Sequence, residues 1–524
     1  MRSILSRSLS AAFCLAAFGG ASAQDSAPEW YVQGAATAKQ NLSTVRGRPA
    51  KNVILFIGDG MGISTVTAAR ILEGQQHGAT GEENRLSFEQ FPWTALSKTY
   101  SVDGQTPDSA PTMTAMMSGV KTNQGLIGVD QATVYNDCAS GQGHEVVSLL
   151  ELAESAGLAT GIISTARITH ATPAATYAHT ANRNWESDAN LTEEALANGC
   201  HDIARQLIEF PFGDGLEVAL GGGRGMFLPE TATDPEDAGR HGSRKDGRDL
   251  TAEWVADYPG SAFVWNRAQF DAINPTQTRH LLGLFERSHM EYELDRANDT
   301  GGEPSIAEMT AKAIQMLSQD RDGYFLMVEG GRIDHAHHEG NAARALNDAI
   351  ALSDAVRVAT DMTDENDTLI IVSADHSHVF TIAGYPDRGN PILGLVREGG
   401  ELAHDQGGLP YTTLGYANGP GYRNQDVRPE LTDEIVADTD FLQEATVPMG
   451  SETHAAEDVG IYARGPGSQA FHGVLEQNVI YHVMAQSAAK IRAGVCGRDF
   501  WCRLLGMADI TQMPDYGWLR GQLD

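Results

Sequence analysis

The sequence predicts an α/β protein with a mostly parallel central sheet, helices on both faces and one loop-rich insertion. Two observations support this fold class. Short apolar, β-branched runs alternate with longer stretches of helical period, which is the pattern of strand–helix–strand units. Acidic residues and histidines follow several of the apolar runs, and ligands in such sheets bind beyond the carboxyl ends of the strands.

The alternation can be followed along the chain. Residues 51–57 predict a buried strand that ends at Gly58-Asp59-Gly60, and residues 63–73 predict the helix after it. A helix over residues 144–156 precedes a strand at 159–164. A strand at 324–328 and a helix at 342–362 lead into a last strand at 368–372.

Composition then divides the chain into five parts. We expect a signal peptide at residues 1–23, an N-terminal arm at 24–49, and an α/β core at 50–384 that continues at 452–524. Residues 385–451 are rich in Gly, Pro, Asn, Asp and Tyr and have no long periodic segment, so they are predicted to form an insertion outside the main sheet.

The first residues have the features of a secretory signal. Arg2 and Arg7 precede a short apolar stretch, and Ala21-Ser22-Ala23 is a typical cleavage site. That stretch is too short to cross a bilayer and no later one is long enough, so no transmembrane anchor is expected. We therefore predict an exported protein, either periplasmic or secreted.

Four cysteines remain after the signal peptide, and they suggest disulfides in an exported protein. Their clustering favours Cys138–Cys200 and Cys496–Cys502 among the three possible connectivities. The alternative is four free or metal-bound thiols, although no CxxC spacing supports a thiolate metal site.

The chain is strongly acidic, with a formal charge of −32, or −34 without the two arginines of the signal peptide. This charge repels nucleic acids and anionic lipid surfaces, so no nucleic-acid partner is expected. It also repels phosphate esters, so a phosphate site would need a local positive centre such as a bound metal. Acidity can also reflect adaptation to salt.

Five islands rich in Asp, Glu and His carry the candidate chemistry, at residues 58–62, 108–110, 329–338, 375–378 and 452–454. Carboxylates and imidazoles are ligands of Zn²⁺ and Mg²⁺. Asp334 and His338 are four residues apart and share one helical face, and Asp375 and His376 follow a strand. Asp59 ends the first strand and could bridge two ions. The remaining histidines of these islands are His335, His337 and His378. Together with His144, they are interpreted as residues that surround the ligands or lie at the surface.

Ser109 is the candidate nucleophile. It follows Pro107-Asp108 and precedes helix-forming residues, with Pro111 tolerated in the first turn. A hydroxyl at a helix N-terminus lies where the backbone amides and the helix dipole favour negative charge. The alternative is an ordinary Asp/Ser helix cap.

In this order and spacing, the islands resemble the alkaline phosphatase family, and its animal-type branch in particular. The likeness runs from about residue 52 to residue 503. It includes three further motifs: Thr169-His170-Ala171-Thr172-Pro173, Asn182-Arg183-Asn184-Trp185 and Arg464-Gly465-Pro466.

The resemblance implies a role for each site residue. Ser109 is similar to the phosphorylated nucleophile and Arg183 to the phosphate-binding guanidinium. The ligands of one zinc ion would be Asp334, His338 and His454, those of the second zinc Asp59, Asp375 and His376, and those of magnesium Asp59, Thr172 and Glu329. His170 and His335 match the surroundings of the third metal, which leaves Mg²⁺ or an extra Zn²⁺ open.

The resemblance also implies a peripheral calcium site at Glu236, Phe285, Glu286 and Glu303, where the family usually has Asp as the last ligand. The alternative is that these acids are solvated. Pro111 and Met113 depart from the very small residues that normally follow the nucleophile, so the local pocket shape is open.

The implied function is hydrolysis of small phosphate monoesters through a phosphoserine. The 385–451 segment would be a crown-like insertion that helps to form a homodimer, with Tyr411, Tyr416 and Tyr422 either at the interface or packed within the loop. Two alternatives remain. One is a phosphodiesterase or sulfatase relative, although the sulfatase motif is absent, and the other is a catalytically silent, metal-stabilised binding protein.

Overall fold

The computed structural model describes residues 25–43, 48–424 and 428–495. Its main sheet contains ten strands in the order β17-β2-β16-β8-β1-β7-β3-β4-β6-β5. Neighbouring strands pair in parallel except for β16, which is antiparallel to both β2 and β8. The strands are β1 (Asn52–Gly58), β2 (Trp93–Lys98), β3 (Ala159–Arg167), β4 (Val218–Gly222), β5 (Ala262–Val264), β6 (Leu281–Leu284), β7 (Tyr324–Gly330), β8 (Thr368–Ala374), β9 (Ser377–His378), β10 (Phe380–Ile382), β11 (Arg397–Glu398), β12 (Glu401–Leu402), β13 (Leu414–Gly419), β14 (Ala445–Pro448), β15 (His454–Ala455), β16 (Val459–Arg464) and β17 (Val474–Glu476).

Helices cover both faces of this sheet. They are α1 (Ala27–Leu42), α2 (Ile63–Gln76), α3 (Ser109–Ser118), α4 (Cys138–Gly141), α5 (Leu149–Ser155), α6 (Ala171–Ala174), α7 (Glu193–Ala197), α8 (Ile203–Ile208), α9 (Arg224–Phe227), α10 (Leu250–Asp257), α11 (Arg267–Ala272), α12 (Ile306–Leu317), α13 (Arg332–His338), α14 (Ala342–Met362), α15 (Asp433–Val436), α16 (Val479–Ser487) and α17 (Ala489–Val495). Single 3₁₀ turns lie at Ser87–Gln90, Asp188–Asn190, Arg296–Asn298 and Ser468–Ala470.

The central strand β1 shows why the sheet needs helices on both faces. Its side chains point alternately to opposite faces, so Leu55 and Ile57 belong to one buried cluster while Ile54 and Phe56 belong to another. The first cluster includes residues of α1, α3, α5 and α16, and the second includes residues of α2, α12 and α14. Because both faces are buried, the strand is a continuous apolar run, as parallel strands usually are. The predicted fold class is confirmed.

One predicted helix is wrong at its start. The structure has no helix at residues 144–148, and α5 begins only at Leu149. Ser148 is the N-cap: its hydroxyl accepts a hydrogen bond from the amide of Glu151, whose carboxylate accepts one from the Ser148 amide. This capping box ends the preceding loop, which the apolar pattern alone does not reveal.

Other predictions concern the termini and the cysteines. Cys138 and Cys200 form a disulfide, as predicted. The predicted signal peptide and the Cys496–Cys502 pair lie outside the described residues. Part of the predicted N-terminal arm is the helix α1, which packs on α16. None of the helices within the described ranges has the length and apolar character to cross a membrane.

Residues 385–451, the predicted insertion, contain only short helices and strands where the structure describes them. The three-stranded sheet β10-β13-β14 joins them to the core, and a small apolar cluster includes Leu395, Leu431 and Phe441. Tyr416 is buried, and its hydroxyl contacts Nδ1 of His337 at 2.8 Å, so it packs inside its own chain. Tyr422 is partly exposed and remains available to a partner.

Candidate metal and phosphate site

The predicted site residues converge at the carboxyl ends of four adjacent strands. In the order β8-β1-β7-β3, Asp375 follows β8, Asp59 follows β1, Glu329 lies at the end of β7, and Thr172 lies on α6 shortly after β3. All four are buried. Strand topology therefore brings together residues that are more than 300 positions apart, as ligand-binding α/β sheets do.

Ser109 is the first residue of α3, and its hydroxyl faces this group of carboxylates. Its Oγ lies 3.1 Å from Nε2 of His376 and 3.4 Å from Oδ1 of Asp59. Asp108 is the N-cap and accepts a hydrogen bond from the amide of Ala110. Pro111 and Met113 are both buried, and Met113 belongs to the apolar cluster on one face of the sheet.

Asp334, His338 and His454 form one compact group. Oδ1 of Asp334 lies 3.4 Å from Nε2 of His338 and 3.3 Å from Nε2 of His454. Nδ1 of His338 donates to the carbonyl of Glu452, and Nδ1 of His454 donates to the carbonyl of Pro107. When both imidazoles are neutral, with these protons on Nδ1, the two Nε2 atoms present lone pairs that repel each other at 3.1 Å. A cation between them would remove this repulsion, so the donor set fits a metal such as zinc.

Asp59, Asp375 and His376 form a second group with mutually close ligand atoms. Nε2 of His376 lies 3.3 Å from Oδ1 of Asp59 and 3.3 Å from Oδ2 of Asp375. The amide of Gly60 donates to Oδ1 of Asp375 and fixes the orientation of its carboxylate. Two carboxylates and one imidazole are again a donor set that suits zinc.

A third group consists of Asp59, Glu329 and Thr172. One oxygen of each side chain is buried without a hydrogen-bond partner: Oδ2 of Asp59, Oε1 of Glu329 and Oγ1 of Thr172. Burial, and then the nearby carboxylates of Asp375 and Asp334, raise the pKa of Asp59 above its usual range. Burial also raises the pKa of Glu329 to about 7. Unpaired buried oxygens are costly, and a hard divalent cation would satisfy all three.

Arg183 supplies positive charge beside these groups. Its Nη1 donates to Oδ1 of Asp108 at 3.1 Å, and its Nη2 lies 3.1 Å from Nε2 of His170. The same carboxylate of Asp108 caps α3, so Asp108 holds both the guanidinium and the start of the helix that carries Ser109. A planar guanidinium in this position suits bidentate contact with phosphate oxygens.

Two residues of the predicted islands, His378 and Glu452, have a specific role that the sequence did not assign. Nε2 of His378 contacts Oδ1 of Asp334 at 2.9 Å, and its Nδ1 contacts Oε2 of Glu452 at 2.5 Å. Burial lowers the pKa of His378, but these two carboxylates outweigh it and raise the pKa above its ordinary value. His378 therefore orients Asp334 and is itself held by Glu452. The spacing of His376 and His378 by two residues in an extended segment is a signal that both face the same side.

The other unassigned histidines differ in environment. His144 is partly exposed and pairs with Asp130, which is consistent with a surface residue. His337 is buried between Thr65 and Tyr416, and His335 packs beside His170. The side chain of His337 is therefore an internal link between α13, α2 and the insertion.

The predicted peripheral calcium residues lie away from these groups. Glu236 and Glu286 come together with Asp299, which the sequence prediction did not include. Glu303 is buried, and its Oε1 accepts from the amide of Glu291. The carbonyl of Phe285 accepts a hydrogen bond from Arg224. Burial and then Glu236 raise the pKa of Glu286 to about 8, although Arg224, which pairs with Glu236, opposes this shift.

Comparisons with known proteins agree with this geometry. The sequence model of the alkaline phosphatase family matches residues 50–490. The tissue-nonspecific alkaline phosphatase of Homo sapiens is 46% identical over 468 residues, which covers 88% of each chain. The alkaline phosphatase of Gadus morhua is 45% identical over 456 residues, or 86% of this chain and 94% of the relative.

Solved structures show the same architecture. The alkaline phosphatase of Thermus thermophilus superposes with a TM-score of 0.61 at 26% identity, covering 86% of this chain and 94% of the other. The enzyme from the Antarctic bacterium TAB5 gives a TM-score of 0.57 at 25% identity, covering 84% of this chain and 99% of the other.

Proposed function

The chain belongs to the alkaline phosphatase family and is a phosphomonoesterase, and we propose that it acts through a phosphoserine formed on Ser109. The observation that carries this proposal is the position of the Ser109 hydroxyl. It lies at the start of α3 within hydrogen-bond distance of His376, and Asp108 next to it anchors Arg183. The candidate nucleophile Ser109 therefore lies beside both the carboxylate cluster and the guanidinium of Arg183.

The metal assignments follow from the three groups. Asp334, His338 and His454 would hold one zinc ion, Asp59, Asp375 and His376 a second, and Asp59, Thr172 and Glu329 a magnesium ion. When bound, the two zinc ions supply positive charge at the attacking and leaving oxygens of an in-line displacement. Calcium is proposed at Glu236, Glu286 and Asp299, with Phe285 and Glu303 beside them.

The residues of the chain then perform defined steps. Oγ of Ser109 gives its proton to solvent and forms a bond to phosphorus while the bond to the leaving oxygen breaks, and that oxygen takes up a proton and departs as an alcohol. Arg183 donates two N–H groups to oxygens of the phosphoryl group and compensates charge that grows in the transition state. Water then attacks the phosphoserine, which releases phosphate and restores the serine. Since these contacts are made to the phosphoryl group, we expect loose selection of the leaving group.

Export and dimerisation complete the proposal. The disulfide Cys138–Cys200 is typical of proteins outside the cytosol, which supports the predicted signal peptide and a periplasmic or secreted location. Tyr385, Tyr422, Val447 and Met449 of the crown-like insertion are exposed and would be covered in a homodimer.

Hydrolysis of a chromogenic aryl phosphate, with and without a chelator, tests this function. We expect turnover that the chelator removes and that zinc and magnesium restore. Preference for a diester, or turnover that is insensitive to the chelator, would refute it.

A further inference from the structure

The turn at residues 134–138 lies against the segment that carries Arg183. Asn136 has a φ of 65°, and no other non-glycine residue in the described ranges has a positive φ. Its amide donates to the carbonyl of Ala181, and its Oδ1 accepts from Nδ2 of Asn182 at 2.9 Å. A left-handed conformation outside glycine persists only when surrounding contacts hold it, and such residues are common at functional sites.

Tyr135, the preceding residue, makes a second contact with the same asparagine. Its hydroxyl donates to Oδ1 of Asn182 at 3.1 Å, and that oxygen also accepts from the amide of Asn184. The side chain of Asn182 is therefore held by both Tyr135 and Asn136, and it in turn fixes the backbone on each side of Arg183.

The ring of Tyr135 also contacts Gly125, which supports Arg183 from another segment of the chain. A methyl group on Gly125 would fall 2.5 Å from Cε2 of Tyr135, so ring and glycine are in close contact. The carbonyl of Gly125 accepts from the amide of Arg183, and the amide of Gly125 donates to Oδ2 of Asp108. Asp108 holds the guanidinium. Tyr135 thus touches both segments of the chain that determine where Arg183 lies.

Burial of apolar surface does not explain why the turn at residues 134–138 is held in this position. Tyr135 is 48% exposed and the neighbouring Val134 is 58% exposed, so the turn contributes little apolar surface to the core. On its far side, the turn continues into Cys138, whose disulfide to Cys200 fastens it. The side chains of Tyr135 and Asn136 instead contact Asn182, Asn184 and Gly125, on the two segments that support Arg183.

We propose that Tyr135 and Asn136 are positioning residues that hold Arg183 in the orientation in which it binds the phosphoryl group. The inference rests on the proposed function, because it assumes that Arg183 binds phosphate. It assigns the 134–138 turn a role in setting affinity for phosphate and for dianionic monoesters.

Two substitutions test this proposal with little disturbance of the backbone. Tyr135→Phe removes the hydroxyl and keeps the ring, and Asn136→Gly removes the amide side chain while glycine tolerates the left-handed conformation. Asn136→Gly removes one side-chain hydrogen bond to Asn182, and Tyr135→Phe removes the bonds of the hydroxyl to Asn182 and Asn184. Each substitution should raise the inhibition constant of inorganic phosphate and the KM for an aryl phosphate by roughly two- to tenfold, the size of a neutral hydrogen bond's contribution. kcat should change less, and thermal unfolding monitored by circular dichroism should stay cooperative. Tyr258→Phe, which removes a hydroxyl near the carbonyl of Ile208, is the matched control and should leave both constants unchanged.

The decisive comparison repeats both substitutions in an Arg183→Ala background. If they act through Arg183, they should have no further effect there. Equal effects in both backgrounds, or no effect in the presence of Arg183, would overturn the proposal. If Arg183→Ala alone leaves phosphate inhibition unchanged, the proposed function of Arg183 fails instead, so the two failures are distinguishable.

Discussion

Replacing Arg183 by alanine removes the side chain that we expect to bind the phosphoryl oxygens. This side chain is only 19% exposed and makes one contact each with Asp108 and His170, so it is held in place before substrate arrives. Asp108 retains its bonds to the amides of Ala110 and Gly125 in the variant, which should preserve the start of α3.

The size of the effect follows from the hydrogen bonds that alanine cannot donate to the phosphoryl oxygens. Hydrogen bonds to charged groups contribute about 1.5–3 kcal/mol each, and the Asp108 carboxylate without its guanidinium partner repels the substrate. Water replaces part of what the guanidinium provides, so we expect a loss near that of one such hydrogen bond rather than the sum of two, about 2–3 kcal/mol, which is roughly a 30- to 150-fold decrease in kcat/KM for a phosphate monoester. Inhibition by inorganic phosphate should weaken in parallel, because phosphate makes the same contacts. Arg183→Lys keeps a charge without the planar fork and should recover only part of the activity.

The assay compares a monoester with a diester that has the same chromogenic leaving group. Compared with a monoester, a diester has one free phosphoryl oxygen fewer and one negative charge fewer. Its hydrolysis should therefore decrease less in the variant. Equal loss of both activities with unchanged phosphate inhibition would refute the reasoning, and so would a wild-type protein that prefers the diester. Arg205→Ala, which removes a partly exposed guanidinium paired with Glu209, is a suitable control and should leave all these constants unchanged.

Three further predictions concern the surroundings of the site and the fold. Glu452→Gln should weaken the hold on His378, and through it on Asp334, so that chelator inactivates the variant at roughly 10- to 100-fold lower concentration; unchanged sensitivity would contradict this. Replacing Cys138 and Cys200 by serine opens a loop with a sequence separation of 62 residues and should lower the free energy of unfolding by roughly 3–5 kcal/mol, and an unchanged urea midpoint would contradict the stabilising role. Burial raises the pKa of Glu217 from its ordinary 4.5 to about 8, so the folded state keeps a proton that the unfolded state releases, and stability should fall as pH rises through this range. Glu217→Gln should therefore raise the melting temperature more at about pH 9 than at about pH 5, and an equal shift at both would disprove this link.

The sequence predicts the central elements well because their cause is local. Fully buried strands such as β1 and β8 must be continuous apolar runs, and the residues that follow them must lie at the site edge. The start of α5 is not predicted because a capping box interrupts an otherwise apolar pattern. The roles of Glu452 and His378 are not predicted because they depend on contacts with each other and with Asp334, across more than 100 residues from Asp334 to Glu452.

The conformation of the Tyr135–Asn136 turn is beyond sequence reasoning for a similar reason. Asparagine adopts a positive φ more readily than most residues other than glycine, but Val134-Tyr135-Asn136-Asp137 does not identify its partner Asn182, which is 46 residues away from Asn136. At the peripheral calcium site, the resemblance in sequence and the structure name different residues. Glu303 is predicted by its place in a motif, whereas Asp299 is the residue whose oxygen lies close to Glu236 and Glu286.

The most direct test of the central claim is to identify the residue that carries phosphate during turnover. The metal-loaded protein is mixed with a phosphate monoester, quenched in acid and digested, and the phosphorylated peptide is sequenced by mass spectrometry. We predict phosphate on Ser109 alone, and none in Ser109→Ala protein that still binds its metals. Phosphate on another residue, or a trapped phosphoenzyme in the Ser109→Ala variant, would contradict the proposed nucleophile.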